Sequence, residues 1–398
     1  MASLLRQRVE QHCRLYHSDV VAVRRHIHAN PELAFEEYKT SEFICKKLDQ
    51  YGIPYQIMAK TGIVAFIEGR KKDKVIALRA DMDALPIHEL NDSPFKSKVD
   101  GIMHACGHDA HSAMLLLAGR VLNEMRHDLD GSIKLIFQPS EEAIPGGAKA
   151  MIEAGVLENP KVRHVIGQHV LPTLASGRVG YKSGKYMASS DELYLKIIGK
   201  GGHGATPDLN VDPVLVASHI VVAMQQIVSR VAKPNMPTVV SFGKFEAKGQ
   251  VNIIPDEVNL AGILRTFDEE WRAKAIEKIT KLATTLAESM GAKCEVKIVR
   301  GFPVVINDDE LTKNCMLFSK EFLGKRRVED LEMRMTAEDF AYYGHEVPST
   351  FLRLGTKTRG KEITNLHTAN FEIDEDALYH GMGNLVFLAY RTLEELID

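Results

Sequence analysis

Apolar residues recur at helical spacing from Leu4 to His28, and Asn30-Pro31 stops the pattern, so the chain is expected to open with one helix that ends at the proline. A second helix is expected near Thr40 to Tyr51. Short β-branched runs follow at Ile63–Ile67, Val75–Leu78 and Ile133–Phe137, with a helical stretch from His111 to Met125 between the last two. Strands alternating with helices predict an α/β layer built on a mostly parallel sheet covered on both faces. From about Lys185 the grammar changes. Strand patterns at Glu192–Ile198, Thr238–Phe245, Val258–Phe267 and Cys294–Val299 enclose helical patterns at Pro213–Val231 and Glu269–Met290. That order, β-α-β-β-α-β, is the ferredoxin-like split unit and makes a small domain by itself. A helix at Asp309–Phe322, a strand at Thr350–Leu354 and a last helix at Asp374–Leu396 return to the first style. The expectation is a discontinuous α/β domain over residues 1–184 and 301–398, interrupted by an inserted α+β domain over 185–300.

Charge narrows the partner. Fifty basic against fifty-three acidic residues give a net charge of −3, which offers no footprint for nucleic acid or an anionic membrane, so a small molecule is expected. Five cysteines without a C-x-x-C pair read as reduced thiols. The early residues lack the apolar core of a secretory signal, and no run of 18 apolar residues occurs, so a cytoplasmic protein is expected.

The densest chemistry lies at Met103-His104-Ala105-Cys106-Gly107-His108-Asp109-Ala110-His111, just before a helix. Thiolate and imidazole together suit a divalent transition metal, although a polar loop with Asp109 placed at a helix N-terminus would show the same letters. Phe137-Gln138-Pro139-Ser140-Glu141-Glu142 sets two carboxylates directly after an apolar strand, and Arg79-Ala80-Asp81-Met82-Asp83 does the same. Ends of strands in α/β sheets are where ligands bind, and paired acids need a cation or a proton; ordinary turns remain the alternative. His169 is expected to close the strand Val165–Gln168, and His367 sits in Asn365-Leu366-His367-Thr368; alone, each reads as a structural histidine. In the middle segment, His203 lies in the glycine loop 199–205, and Asn252 and Arg265 flank the turn at Pro255-Asp256.

The strings RADMDALP, MHACGHDAH, FQPSEE, GGHGATPD, NIIPDEV with LRTF, and NLHTANFEID together resemble the amidohydrolase branch of the dinuclear metal aminoacylase and carboxypeptidase superfamily. The resemblance covers about His26 to Phe371. It implies a catalytic domain with two divalent ions, of which Mn, Zn, Ni and Co all suit the ligands, and an inserted lid domain that makes a homodimer. It also implies roles. Cys106 would bridge the two ions, with Glu142 and His367 completing one site and His108 and His169 the other. Glu141 would be the general base and Asp83 the supporting acid, while Asp81 stands where other branches place a metal histidine. His203 would stabilise the oxyanion, with Asn252 and Arg265 holding the substrate carboxylate.

The reaction so implied is hydrolysis of N-acyl amino acids. The nearest alternative is a dipeptidase or metallocarboxypeptidase with the same ions; further alternatives are a cysteine hydrolase using Cys106, and a binding protein that keeps the fold without catalysis.

Overall fold

The computed structural model describes residues 2–396, which divide into two compact units. The first contains Met1–Gly184, Ile306–Glu332 and Asp339–Asp398. Its eight-stranded sheet runs, edge to edge, Tyr55–Met58, Gly62–Ile67, Ser132–Gln138, Val75–Asp81, Val162–Ala175, Ser349–Lys357, Val179–Tyr181 and Val328–Asp330. The four central strands are parallel to one another. Two of them, Val75–Asp81 and Ser132–Gln138, are buried at every position, as expected of strands covered on both faces. The helix His108–Glu124 is buried through most of its length and packs against the helices His17–Ala29 and Asp376–Glu395.

Three local expectations change. The opening helix is two helices, Ala2–Leu15 and His17–Ala29, because Tyr16 leaves helical geometry at φ −104, ψ 11. Its phenol donates to Glu124 at 2.7 Å and its ring lies under Arg120, so the junction is tied to the helix beneath. The helix expected from His111 starts at His108, which puts His108 in its first turn. His169 does not close its strand: Val162–Ala175 continues six residues beyond it, held by parallel pairing with Ser349–Lys357, so His169 is a mid-strand residue.

The second unit contains Lys185–Val305 and the short segment Met333–Glu338. That segment bridges in through Met187 and Arg334 and accepts the Ala188 amide, pairing that the sequence does not reveal. The sheet order is Thr238–Ala247, Glu257–Thr266, Asp191–Ile198, Lys293–Arg300, antiparallel throughout. With helices Pro213–Gln226 and Glu269–Ser289 this is the ferredoxin-like arrangement. Asp212 caps the first helix and Asp268 the second. The stretch Pro213–Val231 is long and apolar enough to cross a bilayer, but Val216, Ala217, Ile220 and Met224 are buried in this unit's own core.

Arg272 anchors this unit. Buried, it pairs with both oxygens of Asp191 at 2.8 and 2.7 Å and donates to the carbonyls of Ser190 and Gly301. Removing Asp191 leaves the buried Arg272 charge facing only the partly exposed carboxylate of Glu269. Asp191→Ala should therefore lower the opening free energy of the strand Asp191–Ile198 by about 3–5 kcal/mol, read by amide hydrogen exchange.

Candidate metal centre

The central strands deliver their polar ends to one place in the first unit. Gly107 enables it: at φ +88 it turns the chain from Cys106 into the helix, and a Cβ there would meet Val170 Cγ2 at 2.6 Å. Cys106 Sγ lies 3.4 Å from His169 Nε2. Two sets of possible ligand atoms, each within 4.8 Å of one another, share this thiol: Cys106, His108 and His169 form one, and Cys106, Glu142 and His367 the other. Glu141 is buried and forms a third set with His108 and Glu142.

The orientation of each side chain has a cause. His108 Nδ1 is hydrogen-bonded to the carbonyl and carboxylate of Asp83, at 2.8 and 3.1 Å. This leaves Nε2 facing the cluster, buried and without a hydrogen-bond partner. The other Asp83 oxygen accepts the Glu142 amide at 2.9 Å. His169 Nδ1 donates to the Val170 carbonyl at 2.7 Å, freeing its Nε2. His367 sits at φ 60, a left-handed conformation that costs about 1–2 kcal/mol for a non-glycine residue, and its amide is tied to the Ala105 carbonyl at 2.8 Å. Its Nε2 lies 3.1 Å from Glu142 Oε1, and that carboxylate raises the pKa of the imidazole.

Asp81 is also buried here but its oxygens are engaged, one with His111 Nδ1 at 2.6 Å and the other with Arg79 Nη1 at 2.7 Å. His111 Nε2 accepts the Val170 amide at 2.9 Å, so its proton is on Nδ1. Asp81 and His111 thus brace the strand that carries His169.

Electrostatics show what the cluster lacks. Burial, with Glu142 and Glu141 adding to it, pushes the Cys106 thiol well above its usual range. Burial works against a charged His108, but Asp81, Asp83 and Glu142 outweigh it and raise its pKa to about 10. Burial and Arg353 hold His169 well below its ordinary value. The thiol of Cys106 and the imidazole of His108 therefore retain protons that a cation would displace. Unpartnered buried donor atoms, mixed thiol, imidazole and carboxylate chemistry and surplus negative charge all fit divalent ions of the zinc type.

The profile of peptidase family M20/M25/M40 matches residues 77–391. The chain belongs to this family. The N-acyl-L-amino acid amidohydrolase of Geobacillus stearothermophilus is 42% identical over 294 residues, 74% of this chain and 79% of that protein. Thermostable carboxypeptidase 2 of Saccharolobus solfataricus is 38% identical over 367 residues, covering 91% and 92% of the two chains. The Bacillus subtilis YXEP protein, a dinuclear metal binding peptidase from the M20 family, superposes with a TM-score of 0.81 at 35% identity, over 96% of this chain and 100% of that one.

The remaining candidate residues of this family member lie in the second unit. His203 is exposed in a two-residue strand paired with Ile253–Ile254, so its loop is ordered rather than free. Its Nδ1 accepts the Ala205 amide at 3.0 Å, which places the ring proton on Nε2, pointing outward as a donor. Asn252 is next to it, its carbonyl accepting the Gly204 amide at 3.0 Å. Arg265 is elsewhere. It stands near the far end of the strand Glu257–Thr266, eight residues or roughly 26 Å along from Glu257, so Asn252 and Arg265 do not form one carboxylate clamp within a single copy. Arg265 lines a shallow cavity of about 460 Å³ with Val239, Ile263, Arg334, Met335 and Thr336, and its buried Nη1 has no hydrogen-bond partner.

Asp109, adjacent to His108, accepts Arg24 Nε and His28 Nδ1, both at 2.8 Å. Burial opposes its charge, but Arg24 and His28 hold it well below the usual carboxylate range. Asp109→Asn removes the carboxylate that both groups share, leaving Arg24 on Glu375 and His28 on Glu89. It should cost about 3–5 kcal/mol at neutral pH, seen as a lowered thermal midpoint of the purified protein.

Proposed function

We propose that this protein hydrolyses the amide bond of N-acyl amino acids, releasing a carboxylic acid and a free amino acid. The observation that carries the reading is the pair of donor sets sharing Cys106, with Glu141 beside them. Cys106, His108 and His169 would hold one divalent ion, and Cys106, Glu142 and His367 the other; Mn, Zn, Ni and Co all suit these ligands. Such ions supply Lewis acidity to the scissile carbonyl and to the attacking water.

The chain's own residues do the rest. Glu141 takes the proton of the water as its oxygen bonds to the carbonyl carbon, then returns it to the nitrogen as the C–N bond breaks. Asp83 orients His108 and the Glu142 backbone. His203 donates from Nε2 to the developing oxyanion, and Arg265 holds the substrate carboxylate, its unpartnered Nη1 being available for it. Because Asn252 accompanies His203 and not Arg265, we infer that the His203–Asn252 end serves the active site of a partner copy in a homodimer. The edge strand Thr238–Ala247, with Phe245 exposed, and the outward Leu215 and Val222 of the neighbouring helix provide the surface for such pairing. The five unpaired cysteines favour a cytoplasmic setting.

Carboxypeptidase activity is the second reading, favoured by the similarity to the Saccharolobus enzyme. A panel of N-acetyl, N-benzoyl and dipeptide substrates separates the two by their kcat/KM values.

Glu141→Gln should keep its metal content and KM but lower kcat by roughly 10²-fold or more, the scale of a lost general base. Near-normal kcat would move proton transfer to another group. His203→Ala should lose about 10²–10³ in kcat. Mixing it with Glu141→Gln should restore part of the activity if His203 acts across the dimer, since one hybrid site then has both groups. Absence of recovery in demonstrated heterodimers would exclude that arrangement.

A further inference from the structure

Three left-handed turns converge on one buried carboxylate that the mechanism above does not use. Glu37 is fully buried, at 0% exposure. Its Oε1 accepts the amides of Phe35 at 2.9 Å and Ser140 at 2.8 Å, and its Oε2 accepts the Thr61 hydroxyl at 2.6 Å. Phe35 lies at φ 58 and Ser140 at φ 50, and Thr61 directly follows Ala59 and Lys60 at φ 48 and 75. Non-glycine residues persist in this region only where surrounding contacts over-determine them. Ser140 leads straight into Glu141 and Glu142. Its carbonyl accepts the Gly147 amide at 2.7 Å, and the Glu142 amide is fixed on Asp83 at 2.9 Å. The two-residue acidic segment is therefore held at its entry by Glu37, through Ser140, and at its own second amide by Asp83.

We propose that Glu37 is a positioning residue for the hydrolysis: by pinning Ser140 in its left-handed conformation it aims the carboxylate of Glu141. This rests on the assignment of Glu141 as the base. Glu37 acts through its acceptor geometry and not through charge. Its environment is compatible with that, since burial raises its pKa and leaves a neutral group of the same shape acceptable.

The test compares Glu37→Gln, Glu37→Met and Glu141→Gln as metal-loaded full-length proteins, with an N-acetyl amino acid as substrate and metal content measured on each sample. A glutamine can accept both amides on its carbonyl oxygen and donate to Thr61, so Glu37→Gln should keep kcat within about threefold. Glu37→Met keeps the volume and loses the acceptors. It should lower kcat by about 10–10²-fold, the scale of a misplaced catalytic group, with KM and metal content unchanged. Wild-type kcat in Glu37→Met, an equal loss in Glu37→Gln, or a loss that parallels missing metal would each overturn the proposal. Should Glu37→Met fail to fold, Thr61→Val takes its place. It frees only Oε2 and should lower kcat by about 3–10-fold at unchanged KM, and wild-type kcat there would equally overturn the proposal. Full turnover by Glu141→Gln sinks the base assignment itself, whereas its loss beside an active Glu37→Met sinks the positioning role alone.

Discussion

Negative charge gathered around a single buried thiol is the constraint on which the centre depends. Asp81, Asp83, Glu141 and Glu142 are brought to Cys106 by strand ends and one helix start, and all but the partly exposed Glu142 are buried. Burying carboxylates is costly unless cations or protons balance them. Arg79 balances Asp81, and Asp83 is satisfied by His108 and the Glu142 amide. What remains uncompensated is centred on Cys106 and Glu142, and there the imidazole nitrogens of His108, His169 and His367 converge.

Outside the ligand atoms lies a layer of hydrogen bonds that fixes their orientation. Arg79 links Asp81, Gln138 and Asp339, which joins two central strands to the start of a later segment. Asp81 and His111 brace the peptide after His169, while Arg24, His28 and Asp109 anchor the helix that begins at His108. Precise catalytic geometry needs this kind of support, because ligands on unbraced loops would wander by an ångström or more. Strain follows the same logic: Ser140 and His367, both left-handed, flank or supply the groups assigned to chemistry.

Much of this was legible in the chain. Period-2 and period-3.6 patterns mark the α/β layers and the β-α-β-β-α-β order, and Cys106, His108, Glu141 and Glu142 stand out because donor residues cluster locally. The bracing groups did not. Glu37 reads as one acid among several between two helices, and only the fold reveals that Phe35, Thr61 and Ser140 meet on it. Arg24 and His28 look like polar positions of an ordinary helix, since their partner Asp109 is over eighty residues away. His169 misleads differently: glutamine before it suggests a strand end, but parallel pairing carries the strand on to Ala175. Asn252 and Arg265 read as neighbours across a turn, whereas a strand of ten residues sends Arg265 to the opposite end of the sheet.

The central claim is that Cys106 is a thiolate shared by two divalent ions. Titrating verified metal-free protein with Co(II), while following sulfur-to-cobalt absorption and hydrolysis together, tests it most directly. The account predicts saturation at two equivalents, a thiolate band that disappears in Cys106→Ser, and activity that returns with the metal. Saturation at one equivalent or none, an unchanged band in Cys106→Ser, or full activity before any metal is added would contradict it.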